Sequence, residues 1–130
     1  GCGPGRAELG AAIFLNSKGE VVEASRANIF VVREGKIKTP PLASGCLAWI
    51  TRRVVQQLAR REALVCQQRP LKTADLAQAD EAFLTNALIG VMPLTEFQGQ
   101  KIGTGRPGPV TTKLMDAYAQ FLKILIGRRV

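Results

Sequence analysis

Histidine is absent from the 130 residues of this chain, and its absence removes several kinds of active site. Ser-His-Asp and Cys-His nucleophile systems and the common zinc sites all need an imidazole. We therefore expect no metal site and no such nucleophile within the chain. Acid–base chemistry near neutral pH would then fall to a lysine, a carboxylate or a bound cofactor.

Cysteine is scarce, and long hydrophobic runs are missing. The three cysteines, Cys2, Cys46 and Cys66, are widely spaced and odd in number, which argues against a disulfide framework. No apolar run approaches the roughly 18 residues of a membrane-spanning helix. The N-terminal stretch lacks the charged-then-apolar order of a signal peptide. These features predict a cytoplasmic protein with no membrane partner.

Aromatic residues are also few, at 5% of the chain, whereas the net charge is +8. Scattered basic residues with few aromatics offer no stacking platform for single-stranded nucleic acid, so a nucleic-acid partner is not expected. A solvated basic surface is the simpler interpretation. The charge does support one alternative function, a non-catalytic remnant domain that acts as a basic oligomeric or nucleic-acid-associated binding module.

Apolar residues make up 46% of the chain, enough for a packed core. Turn signals and hydrophobic periodicity divide the sequence into interleaved strands and helices. The predicted strands span residues 11–16, 21–24, 28–33, 36–39, 63–69, 81–85 and 90–97. The predicted helices span residues 47–61 and 73–78 and a last segment that begins near Pro109. This order predicts one α/β domain over residues 11–127, preceded by an irregular N-terminal segment, residues 1–10.

Helical spacing also predicts which side chains face the core. In the helix at 47–61, the inward residues are Leu47, Ile50, Val54, Val55, Leu58 and Ala59. The outward residues of the same helix are Arg52, Arg53, Gln56, Gln57 and Arg60. In the last helix, the inward residues are Leu114, Met115, Tyr118, Phe121, Leu122 and Leu125.

Three places in the sequence are candidates for ligand binding. The helix start at residues 47–52 offers backbone N–H groups, a partial positive charge and a hydroxyl, which suit a phosphate; the alternative is a plain helix start after a proline-rich turn. Asn86 follows a strand, at the kind of sheet edge where ligands bind, although a plain turn would have the same sequence. Glu23 lies in an apolar strand and is either an exposed polar position or a partner for a cofactor.

Residues 103–108 match the pattern G-x-G-x-x-G of dinucleotide-binding proteins. They precede the last helix of the chain, however, so no second strand follows to complete a βαβ unit or to supply an acid for a ribose. We interpret this motif as a glycine-rich connection.

The order of the segments resembles that of one family. The chain contains GEVVE (19–23), NIF (28–30), TPPL (39–42), LAWITR (47–52) and ADEAFLTNA (79–87). This series is similar to that of the class IV aminotransferases and lyases, which depend on pyridoxal 5'-phosphate (PLP). The segment LTNALIGVMPL is most similar to the 4-amino-4-deoxychorismate lyase branch. The resemblance implies the C-terminal-domain fold of the D-amino acid aminotransferase-like PLP enzymes, a mixed sheet or pseudo-barrel with flanking helices.

The resemblance also implies roles for particular residues. Glu23 would bond the pyridine nitrogen of PLP, and Leu47 would pack near its ring. The phosphate would be held by four residues from the helix start and the second loop, Ile50, Thr51, Asn86 and Ala87. Family members are usually homodimers, so a homo-oligomer is expected, with a small amino or chorismate-type substrate in the intact enzyme.

Two departures from the family pattern bear on activity. Trp49 occupies the position of the usual glycine in L-x-G-I-T-R, where a bulky side chain would crowd the phosphate loop. The lysine that carries PLP lies further upstream in the family than residues 1–22 can accommodate, so we expect no catalytic residue within the chain. The resemblance thus implies a truncated domain similar to 4-amino-4-deoxychorismate lyase, which makes 4-aminobenzoate and pyruvate. We expect this domain to bind PLP without turnover when alone.

Overall fold

The computed structural model of the chain describes residues 4–6, 12–15, 17–24, 27–42, 50–87 and 89–127. Within these ranges, strands and helices are interleaved along the chain. The strands are β1 (Pro4–Arg6), β2 (Ala12–Leu15), β3 (Glu20–Ala24), β4 (Asn28–Arg33), β5 (Lys36–Thr39), β6 (Cys66–Gln68), β7 (Leu71–Lys72), β8 (Glu81–Asn86), β9 (Gly90–Pro93), β10 (Glu96–Phe97) and β11 (Gln100–Lys101). The helices are α1 (Ile50–Arg61), α2 (Thr73–Ala77) and α3 (Pro109–Gly127).

Five strands form the central sheet, in the order β6-β5-β4-β8-β9. β4 and β5 form an antiparallel hairpin, and its turn residues Glu34 and Gly35 have positive φ angles of 52° and 75°. β8 is antiparallel to β4 and to β9. β5 and β6 are parallel, and α1 lies in the crossover between them that parallel strands require.

Both faces of the central sheet are covered, which explains its continuous apolar runs. Phe30 and Val32 of β4 face α1 and α3, whereas Ile29 and Val31 belong to a second cluster on the opposite face. Phe30 stacks on Phe83 of β8, with ring centroids 4.9 Å apart and ring planes inclined by 7°. Such a pair stabilises the fold by about 0.5–1.5 kcal/mol beyond the burial of its area.

A second sheet, in the order β1-β2-β3-β7, covers the second cluster. Val21 of β3 and Leu71 of β7 are buried in that cluster together with Leu76 of α2. β1 lies inside the segment 1–10, for which the sequence predicts irregular structure, and it pairs with β2. Its residues, PGR, have low strand propensity, so the pairing with β2 decides their conformation.

Two predicted strands are shorter in the structure. Within residues 63–69 only β6 is a strand, because α1 ends in a turn at Ala63, whose φ is 58°. Residues 90–97 divide into β9 and β10, and β10 pairs with β11 in a separate hairpin. The division follows Pro93, which has no N–H to donate to a ladder.

The predicted inward face of α1 is correct in its middle and wrong at its start. Val55, Leu58 and Ala59 are buried. Ile50, predicted to face the core, is 81% exposed, and Arg52, predicted to face solvent, is only 4% exposed. The buried face of α1 thus includes Thr51 and Arg52, and Arg52 is buried because it makes a tertiary hydrogen bond to Pro40 O, described below.

The end of α3 also departs from its predicted face. The inward residues of the helix belong to the cluster beside α1, and the last of them is Phe121. Met115, Leu122 and Leu125, predicted to be inward, are 36%, 37% and 43% exposed and do not belong to that cluster. In the part of the chain that the structure describes, no helix has the length and apolar character needed to cross a membrane.

Candidate functional site

Buried polar side chains gather at one edge of the central sheet. Asn28 begins β4 and lies opposite Thr85, near the end of β8. Thr39 ends β5, and its hydroxyl donates a hydrogen bond to Ile29 O at 2.7 Å. Asn28, Thr39 and Thr85 are each at most 1% exposed. These three residues define what we call the polar edge, where the start of β4 meets the ends of β5 and β8.

α1 begins beside the polar edge. Arg52, in its first turn, donates a hydrogen bond from Nη2 to Pro40 O at 2.8 Å, directly after β5. Ile50 and Thr51, both predicted to bind phosphate, therefore lie at this edge, with Thr51 only 4% exposed. No acidic residue occurs in the first turn of α1, so the partial positive charge of the helix start is not offset within that turn.

Arg52 is a buried cation, and no carboxylate of the described residues contacts it. Its two acceptors, Pro40 O and Gln56 Oε1 at 3.4 Å, are both neutral. Its Nε is buried and has no hydrogen-bond partner among the described residues. Because burial of an uncompensated charge is costly, this arrangement is suited to an anion at the polar edge. Sequence reasoning missed Arg52 as a functional candidate, although its place in the ITR motif was an available signal.

The second predicted anion loop is the turn between β8 and β9. Asn86 ends β8 and pairs with Gly90, the first residue of β9. Asn86 Oδ1 accepts a hydrogen bond from Ile89 N at 2.7 Å, which closes the turn. Ala87 is exposed in this turn, and Leu88 lies outside the described residues. The turn is thus at the same edge as the start of α1, since Thr85 belongs to the polar edge.

Two predicted ring contacts concern residues that the structure describes in part or not at all. Glu23 lies in β3, opposite Phe14 of β2, and β3 contacts β4. Only the backbone of Glu23 is described. Leu47 lies outside the described residues. The roles of both residues therefore stay predictions.

At the opposite edge of the central sheet, a carboxylate caps α3. Glu81 begins β8 and is 6% exposed. Its Oε1 accepts a hydrogen bond from Thr111 N at 2.7 Å, and its Oε2 accepts one from Val110 N at 3.2 Å. A negative charge is stabilised at a helix start by these donors and by the helix dipole. Sequence reasoning did not single out Glu81, because its partners lie about thirty residues further along the chain.

The glycine-rich segment 103–108 packs closely against Asp80 and Glu81. A Cβ at position 108 would overlap the side chain of Glu81, and a Cβ at position 103 would overlap Asp80 O. Gly103 also has a φ of 58°, a conformation that glycine adopts at little cost. The segment is therefore a close-packed connection into α3, in agreement with the interpretation of the motif as a glycine-rich connection.

The charge of Arg52 affects the pKa of Cys66, which lies on the edge strand β6. Burial raises the pKa of its thiol above the ordinary value of 9.0, and the positive charges of Arg52 and Arg60 oppose that rise in part. The positive charge of Arg52 therefore acts on the Cys66 thiol of β6.

Comparison with known proteins assigns the fold. Residues 6–97 match the family model described as Amino-transferase class IV. The chain belongs to the class IV aminotransferases. The C-terminal-domain fold class predicted from the sequence is confirmed, because the solved structures that superimpose on the chain are members of this family.

Three members illustrate how far the similarity of this class IV aminotransferase domain extends. A probable branched-chain-amino-acid aminotransferase of Aquifex aeolicus is 42% identical over 118 residues, which are 90% of this chain and 38% of that protein. The D-alanine aminotransferase of Bacillus licheniformis is 35% identical over 104 residues, 80% of this chain and 37% of that protein. The crystal structure of the branched-chain amino acid aminotransferase of Thermobaculum terrenum in its PLP form has a TM-score of 0.83 and 36% identity, covering 86% of this chain and 37% of that chain. The chain thus spans less than two fifths of the length of these relatives.

Proposed function

We propose that this chain is the part of a PLP-dependent class IV aminotransferase that holds the cofactor's phosphate and pyridine ring. The observation that carries the proposal is Arg52, a buried cation beside the start of α1 with only neutral acceptors among the described residues. A dianionic phosphate at the polar edge would supply the missing negative charge. The PLP form of the Thermobaculum terrenum relative supports this assignment.

The residues at the polar edge fit a phosphate ester. The start of α1 offers backbone donors and an uncompensated partial positive charge, and Thr51 adds a hydroxyl. The Oγ1 of Thr85 is buried and has no hydrogen-bond partner among the described residues, so it is available to a polar ligand. An apolar ligand would leave this hydroxyl without a hydrogen bond and the charge of Arg52 without a counter-charge.

In this proposal the two loops share the phosphate. Ile50 and Thr51 would hold it from the start of α1, and Asn86 and Ala87 would hold it from the turn between β8 and β9. Leu47 would pack near the ring. Glu23 would bond the pyridine nitrogen and keep its proton in place. When bound, PLP supplies an electron sink for a carbanion at the carbon next to the substrate amine.

We expect the polypeptide of residues 1–130 to hold PLP without a covalent bond. The lysines Lys18, Lys36, Lys38 and Lys72 match no family position for the lysine that carries the cofactor. Lys18, for example, lies in the turn before β3. Borohydride treatment followed by mass spectrometry checks this expectation, because a phosphopyridoxyl-labelled lysine would show that the chain supplies its own.

For the reaction of the whole protein, we propose transfer of an amino group from an amino acid. The reported relatives are named branched-chain or D-alanine aminotransferases, which favours this reaction over the lyase reaction predicted from LTNALIGVMPL. Assays of the whole protein distinguish the two reactions, because aminotransfer forms 2-oxo acids from branched-chain amino acids and the lyase reaction releases 4-aminobenzoate. The polypeptide of residues 1–130 should give neither product above background.

We also propose that another polypeptide surface covers the polar edge. Leu42, Ile50 and Ile89 lie near this edge and are 48%, 81% and 57% exposed. Exposed apolar side chains beside a ligand site are typical of a surface that closes against another domain or subunit. Light scattering at high concentration tests the expectation of a homo-oligomer.

The proposal is tested by titration with PLP, followed through the fluorescence of Trp49, the only tryptophan of the chain. We expect PLP to bind at least about 100-fold more tightly than pyridoxal, which lacks the phosphate, since charge-assisted hydrogen bonds dominate such a site. Thr51→Val should weaken PLP binding about tenfold, the equivalent of one lost hydrogen bond.

The matched control is Thr112→Val. Thr112 is exposed in the first turns of α3, the helix whose start Glu81 already caps, so this change should leave PLP affinity unaltered. Equal affinities for PLP and pyridoxal would contradict the proposed phosphate site. Equal effects of the two valine substitutions would place the site away from the start of α1.

A further inference from the structure

The ring of Tyr118 packs against Gly90, at the end of the turn between β8 and β9. Gly90 begins β9 with a φ of 78°. A Cβ at this position would lie 2.6 Å from Tyr118 Cε1 and 2.7 Å from Tyr118 Cδ1, so the ring of Tyr118 lies directly over the glycine. Any larger residue at position 90 would be strained by its φ and would collide with the ring.

The turn itself is fixed at two points. At its entrance, Asn86 Oδ1 accepts a hydrogen bond from Ile89 N at 2.7 Å. At its exit, the ring of Tyr118 covers Gly90, the residue that pairs with Asn86 across the hairpin. The shape of the turn therefore depends in part on this side-chain hydrogen bond and on this aromatic ring.

Tyr118 is held firmly enough to act on the turn. It is half-buried in the cluster beside α1, and its ring packs against that of Phe121 at a centroid distance of 6.1 Å and an angle of 40°. α3, which carries both rings, is capped by Glu81 at the other end of β8. α3 thus bridges the two ends of β8, with its start tied to Glu81 and Tyr118 seated at the turn after Asn86.

We propose that Tyr118 is a positioning residue for the anion-binding turn, residues 86–90. Its ring holds Gly90 so that the turn keeps one shape and presents Asn86 and Ala87 to the phosphate in advance of binding. Preorganised donors bind more tightly, because no ordering cost is incurred when the ligand arrives. The role in phosphate binding rests on the proposed function, whereas the role in holding the turn rests on the Gly90 contact alone.

Two measurements test this role separately. The first is hydrogen exchange of the Ile89 amide in the chain without PLP, which reports opening of the turn. The second is the dissociation constant of PLP. Tyr118→Ala should raise the exchange rate of the Ile89 amide by about tenfold or more and weaken PLP binding by about tenfold. Tyr118→Phe keeps the ring, so it should restore both quantities to those of the unaltered chain.

Val110→Ala is the matched control. Val110 packs against the same cluster from the first turn of the same helix, away from Tyr118, so its truncation should lower the melting temperature without changing Ile89 exchange or PLP affinity well below that temperature. If Tyr118→Ala does not fold, Tyr118→Leu keeps apolar volume while removing the ring and serves in its place.

The proposal is overturned if Ile89 exchange in the Tyr118→Ala or Tyr118→Leu variant matches that of the unaltered chain. It is also overturned if Val110→Ala changes exchange and affinity as much as the Tyr118 variants do, because general destabilisation would then explain the effect. If the unaltered chain does not bind PLP, the proposed function fails, and the exchange measurement alone decides whether Tyr118 holds the turn.

Discussion

The two long helices of this domain begin in opposite electrostatic surroundings. The start of α3 is met by a carboxylate of the chain itself, since Glu81 accepts hydrogen bonds from Val110 N and Thr111 N. The start of α1 has no acidic residue in its first turn, and Arg52 adds a buried positive charge there. The partial positive charge at the start of α3 is therefore offset by Glu81, whereas the start of α1 carries both its own partial positive charge and the charge of Arg52.

This difference indicates which helix start serves structure and which serves a ligand. A helix start needs acceptors for its free N–H groups, and a carboxylate from a neighbouring strand meets that need permanently. A buried guanidinium at a helix start, without a carboxylate among the described residues, favours the binding of an anion from outside. The polar edge is therefore the end of the sheet at which we propose that PLP binds.

Replacement of Glu81 gives the largest expected effect. Glu81→Ala leaves Val110 N and Thr111 N without their acceptor in a buried place, so the free energy of unfolding should fall by about 2–4 kcal/mol. Urea denaturation measures this change. Asp116→Ala, an exposed position on the same helix, should change the same quantity by less than about 0.5 kcal/mol.

The affinity of the same Glu81 variant for PLP tests whether the starts of α1 and α3 act independently. Because Tyr118 stays packed in the cluster beside α1 when the cap is lost, PLP should bind the folded Glu81→Ala variant as tightly as the unaltered chain. A loss of affinity at temperatures where the variant is fully folded would show that the two helix starts are not independent.

Replacement of Arg52 should have the reverse effect, with a small change in stability and a large loss of PLP affinity. Arg52→Met removes a buried charge and also the hydrogen bond to Pro40 O, two effects of opposite sign. The free energy of unfolding without PLP should therefore change by no more than about 1 kcal/mol. PLP affinity should fall by about tenfold or more, because the phosphate loses its buried counter-charge.

Arg53→Met is the control for Arg52, since Arg53 is the next residue along the helix and is exposed. It should leave both stability and PLP affinity close to those of the unaltered chain. The comparison between the helices breaks down if Arg52→Met destabilises the chain as strongly as Glu81→Ala while PLP affinity stays the same. Both helix starts would then be structural.

The strands of the central sheet were the most predictable part of the fold. β4, β5 and β8 lie where the sequence predicts them, because each is a short apolar or β-branched run bounded by turn residues. The hairpin turn at Glu34 and Gly35 was predictable for the same local reason. β1 was not, since its three residues have no strand pattern and its conformation depends on β2.

The site was predictable in outline and not in its electrostatics. The motif order indicated the start of α1 and the turn at Asn86, and the structure places both at one edge of the central sheet. Helical spacing treats every arginine as exposed, so it could not reveal that Arg52 reaches the carbonyl of Pro40 and is buried. The cap from Glu81 to α3 is likewise a contact between distant segments, which no local pattern predicts.

The smallest expected effect concerns Cys66, whose thiol reports the charge at the start of α1. Burial raises the pKa of Cys66, and Arg52 and then Arg60 oppose the rise. In the folded chain the thiol thus stays protonated at pH values where the unfolded thiol has already ionised. The stability that this difference contributes is fully present below the unfolded pKa and is lost as the pH rises through the folded pKa. Cys66→Val should therefore reduce the loss of stability above pH 9.0.

Arg52→Met should raise the pKa of Cys66 further, because of the two arginines Arg52 has the larger lowering effect on that pKa. The measurement is the pH dependence of Cys66 alkylation in a chain that carries Cys2→Ser and Cys46→Ser, and Arg53→Met provides the reference. Saturating PLP should shift the pKa of Cys66 in the same direction as Arg52→Met, since a phosphate beside Arg52 offsets its positive charge. An unchanged pKa on PLP binding would separate Arg52 from the phosphate and leave its buried charge without the ligand that we propose for it.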